Sequence, residues 1–269
     1  MSFGSTDAAR VHVVGDVHGH LTPLLAALAE AGLVDAAGDW SGGGARLWFL
    51  GDFVDRGPDG IGVVDLVMRL AEQAAEVGGE VNSVLGNHEL LLLGAWHFPG
   101  VYLAPTPRTF DQLWRINGGQ LADLHKLTER HLEWLSGLPA VALVADHLLL
   151  HADTAAYLEL GGSLAEVNAS ISRRLTKPEP DDWGDCVRWL SRRGDFQTPA
   201  QVDRVLAALG GRRIVHGHSP IPAVQGIVPA GVAGPHVYGD GRVVNVDGGL
   251  YGGGPCLVLE LEPVSGQAG

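Results

Sequence analysis

Short apolar runs that end in polar clusters set the rhythm of this chain. The runs at 11–14, 47–50 and 81–85 are brief, rich in Val and Leu, and read as buried strands. Between them, 21–31 and 59–75 carry apolar residues at helical spacing. Thr22 is the expected N-cap of the first of these helices, with Pro23 tolerated in its first turn. The Gly-rich stretch 36–45 reads as a loop. The order is β-α-β-α-β, and right-handed crossovers place the carboxyl ends of all three strands along one edge. In α/β folds that edge is where ligands bind.

Residues 90–139 are mostly helical by pattern but broken by Pro99, Pro105 and Pro107. They carry Trp96, Trp114 and Trp134 and are expected to form an insertion beside the site. Their histidines, His97, His125 and His131, are expected in surface or packing roles. Two strands at 141–144 and 147–150 follow, joined by a turn at Ala145-Asp146. A helix at 163–175 leads into a polar loop through Pro178 and Pro180. A helix at 199–209 then precedes a strand at 213–215. Short strands are expected around Ile227 and at 236–238, 243–246 and 256–261, and residues 263–269 are expected to fray. No linker rich in Pro, Gly or Ser divides the chain, so residues 1–269 are expected to form a single domain.

Composition narrows the classes. The chain is 46% hydrophobic, which suits a folded core rather than a disordered segment. A net charge of -13 disfavours nucleic-acid binding through a basic face. Cys186 and Cys256 lack metal-type spacing and are expected as free thiols. The first ten residues hold no apolar signal core, and no apolar run reaches the roughly 18 residues of a membrane span. A soluble cytoplasmic protein without a membrane partner is therefore expected.

The polar clusters carry the chemistry. They are Gly15-Asp16-Val17-His18-Gly19, Gly51-Asp52-Phe53-Val54-Asp55-Arg56-Gly57, Gly86-Asn87-His88-Glu89, His151-Ala152-Asp153 and His216-Gly217-His218-Ser219-Pro220. Burying Asp52 and Asp55 side by side is costly, and one Arg does not obviously balance them. A divalent metal would. Asp16, His18, Asp52, Asn87, His151 and His218 make a mixed nitrogen and oxygen donor set, which fits Mn, Fe or Zn better than Ca. Six ligands are too many for one catalytic metal that also holds water, so two metals bridged by Asp52 are expected. Taken alone, each cluster has a plainer reading: Asp52 and Asp55 as a loop capping the next helix, Asn87 as a helix cap, His18 as a turn residue. Their company at successive strand ends favours the metal reading.

Taken in order, these five motifs resemble the phosphoprotein phosphatase type of binuclear metallophosphoesterase, with the bacterial Shewanella-like branch most similar. The resemblance implies a four-layer α/β/β/α sandwich of two mixed sheets. It implies that Asp16 and His18 bind one metal, that Asp52 bridges, and that Asn87, His151 and His218 bind the other. His88, oriented by Asp55, would protonate the leaving oxygen, and Arg56 would hold phosphate oxygens. A metal-bound hydroxide would attack in line. The related branch also grips phosphate with an Arg after a Trp; here Arg192 and Arg193 both stand as candidates, and Arg193-Gly194 is more like the family's Arg-Gly. Ala152 and Asp153 replace glycines common in the family, so Asp153 brings an extra carboxylate near the second metal that could alter affinity or repel phosphate. Asp247 is expected to hydrogen-bond a ligand His, His216 to lie behind His218, and Glu89 to serve local hydrogen bonding.

The expected cofactor is a pair of divalent transition-metal ions, with Mn2+ ahead of Fe or Zn. The expected activity is phosphomonoester hydrolysis on a phosphorylated protein. One alternative is hydrolysis of diadenosine polyphosphates or other small nucleotides on the same centre. Another is a metal-binding phosphate sensor without turnover.

Overall fold

The computed structural model describes residues 10–177 and 179–262. Residues 1–9, Pro178 and the stretch 263–269 expected to fray lie outside the described residues.

The first half forms the expected β-α-β-α-β unit. Strand β1 (Val11–Val14) leads through α1 (Leu21–Glu30) to β2 (Arg46–Phe49), and α2 (Gly60–Glu76) leads to β3 (Glu80–Ser83). Helix α1 starts earlier than expected. His20 holds the N-cap position with no side-chain cap, and Thr22 sits inside the first turn. Helix α2 is capped by Asp59, whose carboxylate accepts from the Gly62 amide.

The insertion supplies α3 (Asn87–His97), α4 (Phe110–Ile116), α5 (Leu121–Lys126) and α6 (Glu129–Ser136). The hairpin of β4 (Val141–Val144) and β5 (His147–Leu150) follows, then α7 (Leu164–Thr176). The polar loop expected next is instead helix α8 (Pro180–Leu190). Pro180 opens this helix, where its missing N–H costs nothing. Trp183, Cys186, Val187 and Leu190 form its buried stripe at helical spacing. Helix α9 (Pro199–Leu209) and β6 (Arg213–His216) come after it. The strand expected around Ile227 is absent: α10 (Ile221–Gln225) ends there on Gly226 in the left-handed region, and Ile227 lies just beyond that cap. The chain finishes with β7 (His236–Tyr238), β8 (Val243–Asn245) and β9 (Val258–Glu260).

Two mixed sheets result. One has the order β3-β2-β1-β9, with β9 antiparallel to β1; the other has the order β4-β5-β6-β8-β7, with β4 and β7 as antiparallel edges. Alternate residues of the strands explain the layering. Val11 and Val13 pack with Leu149, Val215 and Val244 between the sheets. Val14, Leu148, Leu150, Ile214 and Val243 belong instead to the larger core shared with the helices. The fold is thus the expected α/β sandwich of two mixed sheets. Cys186 and Cys256 are free. No helix among the described residues is long and apolar enough to cross a membrane.

Candidate metal centre and phosphate site

The loops after β1, β2, β3, β5 and β6 converge on one buried polar cluster. Asp16, His18, Asp52, Asn87, His151 and His218 are all at most 6% exposed. Their backbones are tied across the strand ends. The Val17 and His18 amides donate to the Asp52 carbonyl at 3.1 and 2.8 Å, and the Gly19 amide donates to the Phe53 carbonyl at 2.7 Å. The His218 amide donates to the Asp16 carboxylate at 3.0 and 3.1 Å. A Cβ on Gly217 would collide with that same carboxylate, which is why glycine precedes His218.

Five of the expected site residues hold positive φ: His18 (46°), Asp52 (55°), Asp55 (68°), Arg56 (64°) and His218 (65°). Backbone strain of this kind gathers at functional sites, where surrounding bonds over-determine it. Glu89 shows how. Its buried carboxylate accepts from the amides of Asp52 (2.8 Å), Phe53 (2.8 Å) and Gly86 (3.0 Å), clamping the loops after β2 and β3 together. This agrees with the local hydrogen-bonding role expected for it. Glu89→Ala would leave three buried donors unpaired, each worth ~1–3 kcal/mol. The expected loss of stability is several kcal/mol, read by denaturant unfolding. A loss under about 1 kcal/mol would show that water can replace the clamp.

The donor atoms fall into two sets around Asp52. Asp52 Oδ2 lies 3.6 Å from His18 Nε2, which is itself 3.9 Å from Asp16 Oδ2. Asp52 Oδ1 lies 3.3 Å from His151 Nε2. His151 Nε2 is in turn 2.8 Å from Asn87 Oδ1 and 3.1 Å from His218 Nδ1. Two groups able to hold a metal share Asp52: His18 with His88, and His151 with His218. Main-chain carbonyls set the tautomers. His18 Nδ1 donates to the Val54 carbonyl at 2.9 Å and His151 Nδ1 to the Leu50 carbonyl at 2.7 Å. Each ring therefore turns an Nε2 lone pair inward, as metal-ligating histidines do.

Charge in the cluster is unbalanced in the way a cation would correct. Burial pushes the Asp16 and Asp52 carboxyls well above the usual carboxylate range, with the Asp247 charge adding at Asp16 and the Glu89 charge at Asp52. Burial also pushes His18 and His218 well below the usual imidazole range and His151 down to about 3. Acids short of positive charge beside neutral imidazoles form a donor set that fits divalent ions.

The remaining candidates surround this cluster. His88 Nδ1 donates to Asp55 Oδ2 at 2.8 Å. The Arg56 guanidinium spans the cleft, with Nη1 2.9 Å from His18 Nε2 and Nη2 3.0 Å from His88 Nε2. Arg193 Nη2 lies 2.9 Å from His218 Nε2, whereas Arg192 turns outward to pair with Glu159. Asp153 does not present a free carboxylate to the cluster. Its oxygens accept from Ser219 Oγ at 2.6 Å and from the Gly194 amide at 2.8 Å, tying the loop of Arg193 to that of His218. His216 points to the Tyr238 hydroxyl at 2.8 Å. Asp247 accepts from the Gly249 amide at 2.9 Å where a bond to a ligand histidine was expected, and burial raises its carboxyl to about 6.

Two contacts carried no signal in the sequence reading. The Trp114 indole donates to Asp55 Oδ1 at 2.7 Å. The Tyr251 ring lies under the Arg56 guanidinium, 4.2 Å from its centroid, and meets His18 edge-on. Beside the cluster opens a cavity of about 360 Å³, walled by Leu91, Leu113 and Val187, with Asn117 and Arg188 at its polar side.

Comparison with known proteins agrees with this geometry. The calcineurin-like phosphoesterase family matches residues 9–222, and the chain belongs to that family. These are hydrolases that use a binuclear metal centre. The chain is 32% identical over 186 residues to the symmetrical bis(5'-nucleosyl)-tetraphosphatase of Bordetella pertussis, covering 65% of this chain and 58% of that protein. The chain thus spans little more than half the length of that relative. It is 33% identical over 82 residues to Shewanella-like protein phosphatase 2 of Arabidopsis thaliana, 30% of this chain and 21% of that protein. In fold it is similar to the cold-active protein-tyrosine phosphatase of a psychrophilic Shewanella species. That likeness has a TM-score of 0.69 at 21% identity and covers 94% of this chain and 75% of the other.

Proposed function

We propose that the protein hydrolyses phosphomonoesters, with a phosphorylated protein as its substrate. The observation that carries the reading is the placement of the two Asp52 oxygens, one toward Asp16 and His18, the other toward His151, Asn87 and His218. In this reading Asp16, His18 and Asp52 hold one ion, and Asp52, Asn87, His151 and His218 hold the other. A bound pair of divalent ions, Mn2+ first among them, supplies an activated water and neutralises phosphate charge.

The chain's own residues do the rest. Arg56 presents a planar fork to two phosphate oxygens, and Arg193 meets the phosphate from the side of His218. His88 gives its Nε2 proton to the leaving oxygen while Asp55 holds the imidazole through Nδ1. The His88 imidazole also lies near Asp52 Oδ2, at 3.9 Å, so metal content separates a donor role from a ligand role. Leu91, Leu113 and Val187 keep the leaving-group side apolar.

A second reading, hydrolysis of dinucleoside polyphosphates, is favoured by the 32% identity to a tetraphosphatase across 65% of this chain. Metal-replete protein assayed in parallel on phosphopeptides and diadenosine tetraphosphate separates the two. We expect the higher kcat/KM on phosphopeptides; a higher value on the dinucleotide would reverse the assignment. No turnover of either substrate, or of p-nitrophenyl phosphate, would make the chain a phosphate-binding sensor. Against that outcome stands the intact bond between His88 and Asp55. A cytoplasmic location is part of the same proposal.

A further inference from the structure

We infer that Trp114, delivered by the insertion, is a positioning residue for proton transfer to the leaving group. The inference rests on the reading of His88 as the proton donor. Trp114 Nε1, Asp55 and His88 Nδ1 form one buried relay, with 2.7 Å from indole to Asp55 Oδ1 and 2.8 Å from Asp55 Oδ2 to His88. None of the three side chains is more than 1% exposed, so no water competes for the carboxylate.

The chemistry of the indole decides its role. An indole N–H only donates, so it fixes Asp55 Oδ1 as an acceptor and leaves Oδ2 to receive the His88 Nδ1 proton. It thereby holds the carboxylate in the orientation that accepts from His88 Nδ1. When the P–O bond breaks, its electron pair goes to the leaving oxygen together with the Nε2 proton. His88 is left neutral, with Nδ1–H still on Asp55.

The insertion is built to hold this geometry. Helix α4 carries Trp114 and is fixed at its start by a reciprocal cap between Thr109 and Gln112. Its Phe110 ring packs on Gly94 of α3, the helix that bears His88. Just past its end, the Gly118 carbonyl accepts from the Arg56 amide at 2.8 Å. A side chain at Gly118, which has φ of 100°, would strike the Arg56 stem. One short helix and its exit turn thus brace both Asp55 and Arg56.

The test uses metal-loaded protein with Trp114→Phe, Asp55→Asn and the double variant. A protein carrying benzothienylalanine at 114 keeps the bicyclic ring, lacks the N–H, and guards against a folding defect in the Phe variant. Each is assayed on phenyl phosphate, a poor leaving group, and p-nitrophenyl phosphate, a good one. Removing a hydrogen bond to a charged group predicts a loss of roughly tenfold or more in kcat on phenyl phosphate. We expect little loss on p-nitrophenyl phosphate, unchanged metal content, and no further loss when Trp114 is changed in the Asp55→Asn background. Equal losses on both substrates, or an undiminished loss in that background, would overturn the inference. His88→Asn is the control. If it shows no leaving-group dependence, the donor reading itself fails, whereas dependence in His88→Asn without any in the Trp114 variants condemns the Trp114 role alone.

Discussion

Asp52→Asn is expected to yield a folded protein that holds neither metal ion and has lost on the order of a thousandfold or more in kcat, a barrier increase of ~4 kcal/mol. The reason is geometric. Asp52 offers Oδ2 to the His18 side and Oδ1 to the His151 side, and it is the residue shared by both groups able to hold a metal. An amide keeps one oxygen, which can still accept from the His88 amide. Its nitrogen cannot ligate, and the negative charge is gone. Without metal the order of stabilities should reverse. Burial and the neighbouring Glu89 and Asp247 charges already disfavour ionised Asp52, so metal-free Asp52→Asn should melt no lower than the metal-free parent. Elemental analysis and paired melting curves check both halves. Full metal occupancy in the variant would remove Asp52 from the bridging position.

His88→Asn should behave in the opposite way. Here metal content stays near that of the parent while kcat falls by about a hundred- to ten-thousandfold, the range typical of a lost general acid. The loss should grow as the leaving group worsens, because a poor leaving group depends most on the proton. His88 qualifies through its Nδ1 bond to Asp55 and its Nε2 lying 3.0 Å from Arg56, the expected phosphate ligand. A parallel fall of metal content and activity would make His88 a ligand, with Nε2 joining the set of His18 and Asp52.

Most of the residues that converge on the cluster could be read before any coordinates, for a physical reason. One strand that ends in a few polar residues has a plain use as a cap or a turn, but five strands that end in carboxylates, imidazoles or an amide leave few such uses. Elements that failed did so locally. Helix α8 opens on Pro180, a residue that also marks loops, although the spacing of Trp183, Cys186, Val187 and Leu190 is helical. His216 was expected behind His218 on the premise of a continued extended backbone. The strand stops at His216, whose ring meets the Tyr238 hydroxyl, and His218 turns to a φ of 65°. Trp114 was beyond reach. Its bond to Asp55 spans 59 positions and exists only because α4 packs against α3 as it does. The same holds for Tyr251 under Arg56, which depends on the path of a glycine-rich turn.

The bond from the His218 amide to the Asp16 carboxylate joins residues 202 positions apart, and β9, near the end of the described chain, lies against β1 near its beginning. During translation, the parallel half of the molecule leaves the ribosome long before either partner exists. A nascent chain halted ahead of residue 218 would carry Asp16 without the His218 amide that donates to its carboxylate. Contacts this distant pay their loop-closure entropy late and slow the final assembly. The full donor set is therefore complete only once the last third of the polypeptide, with His218, has been made.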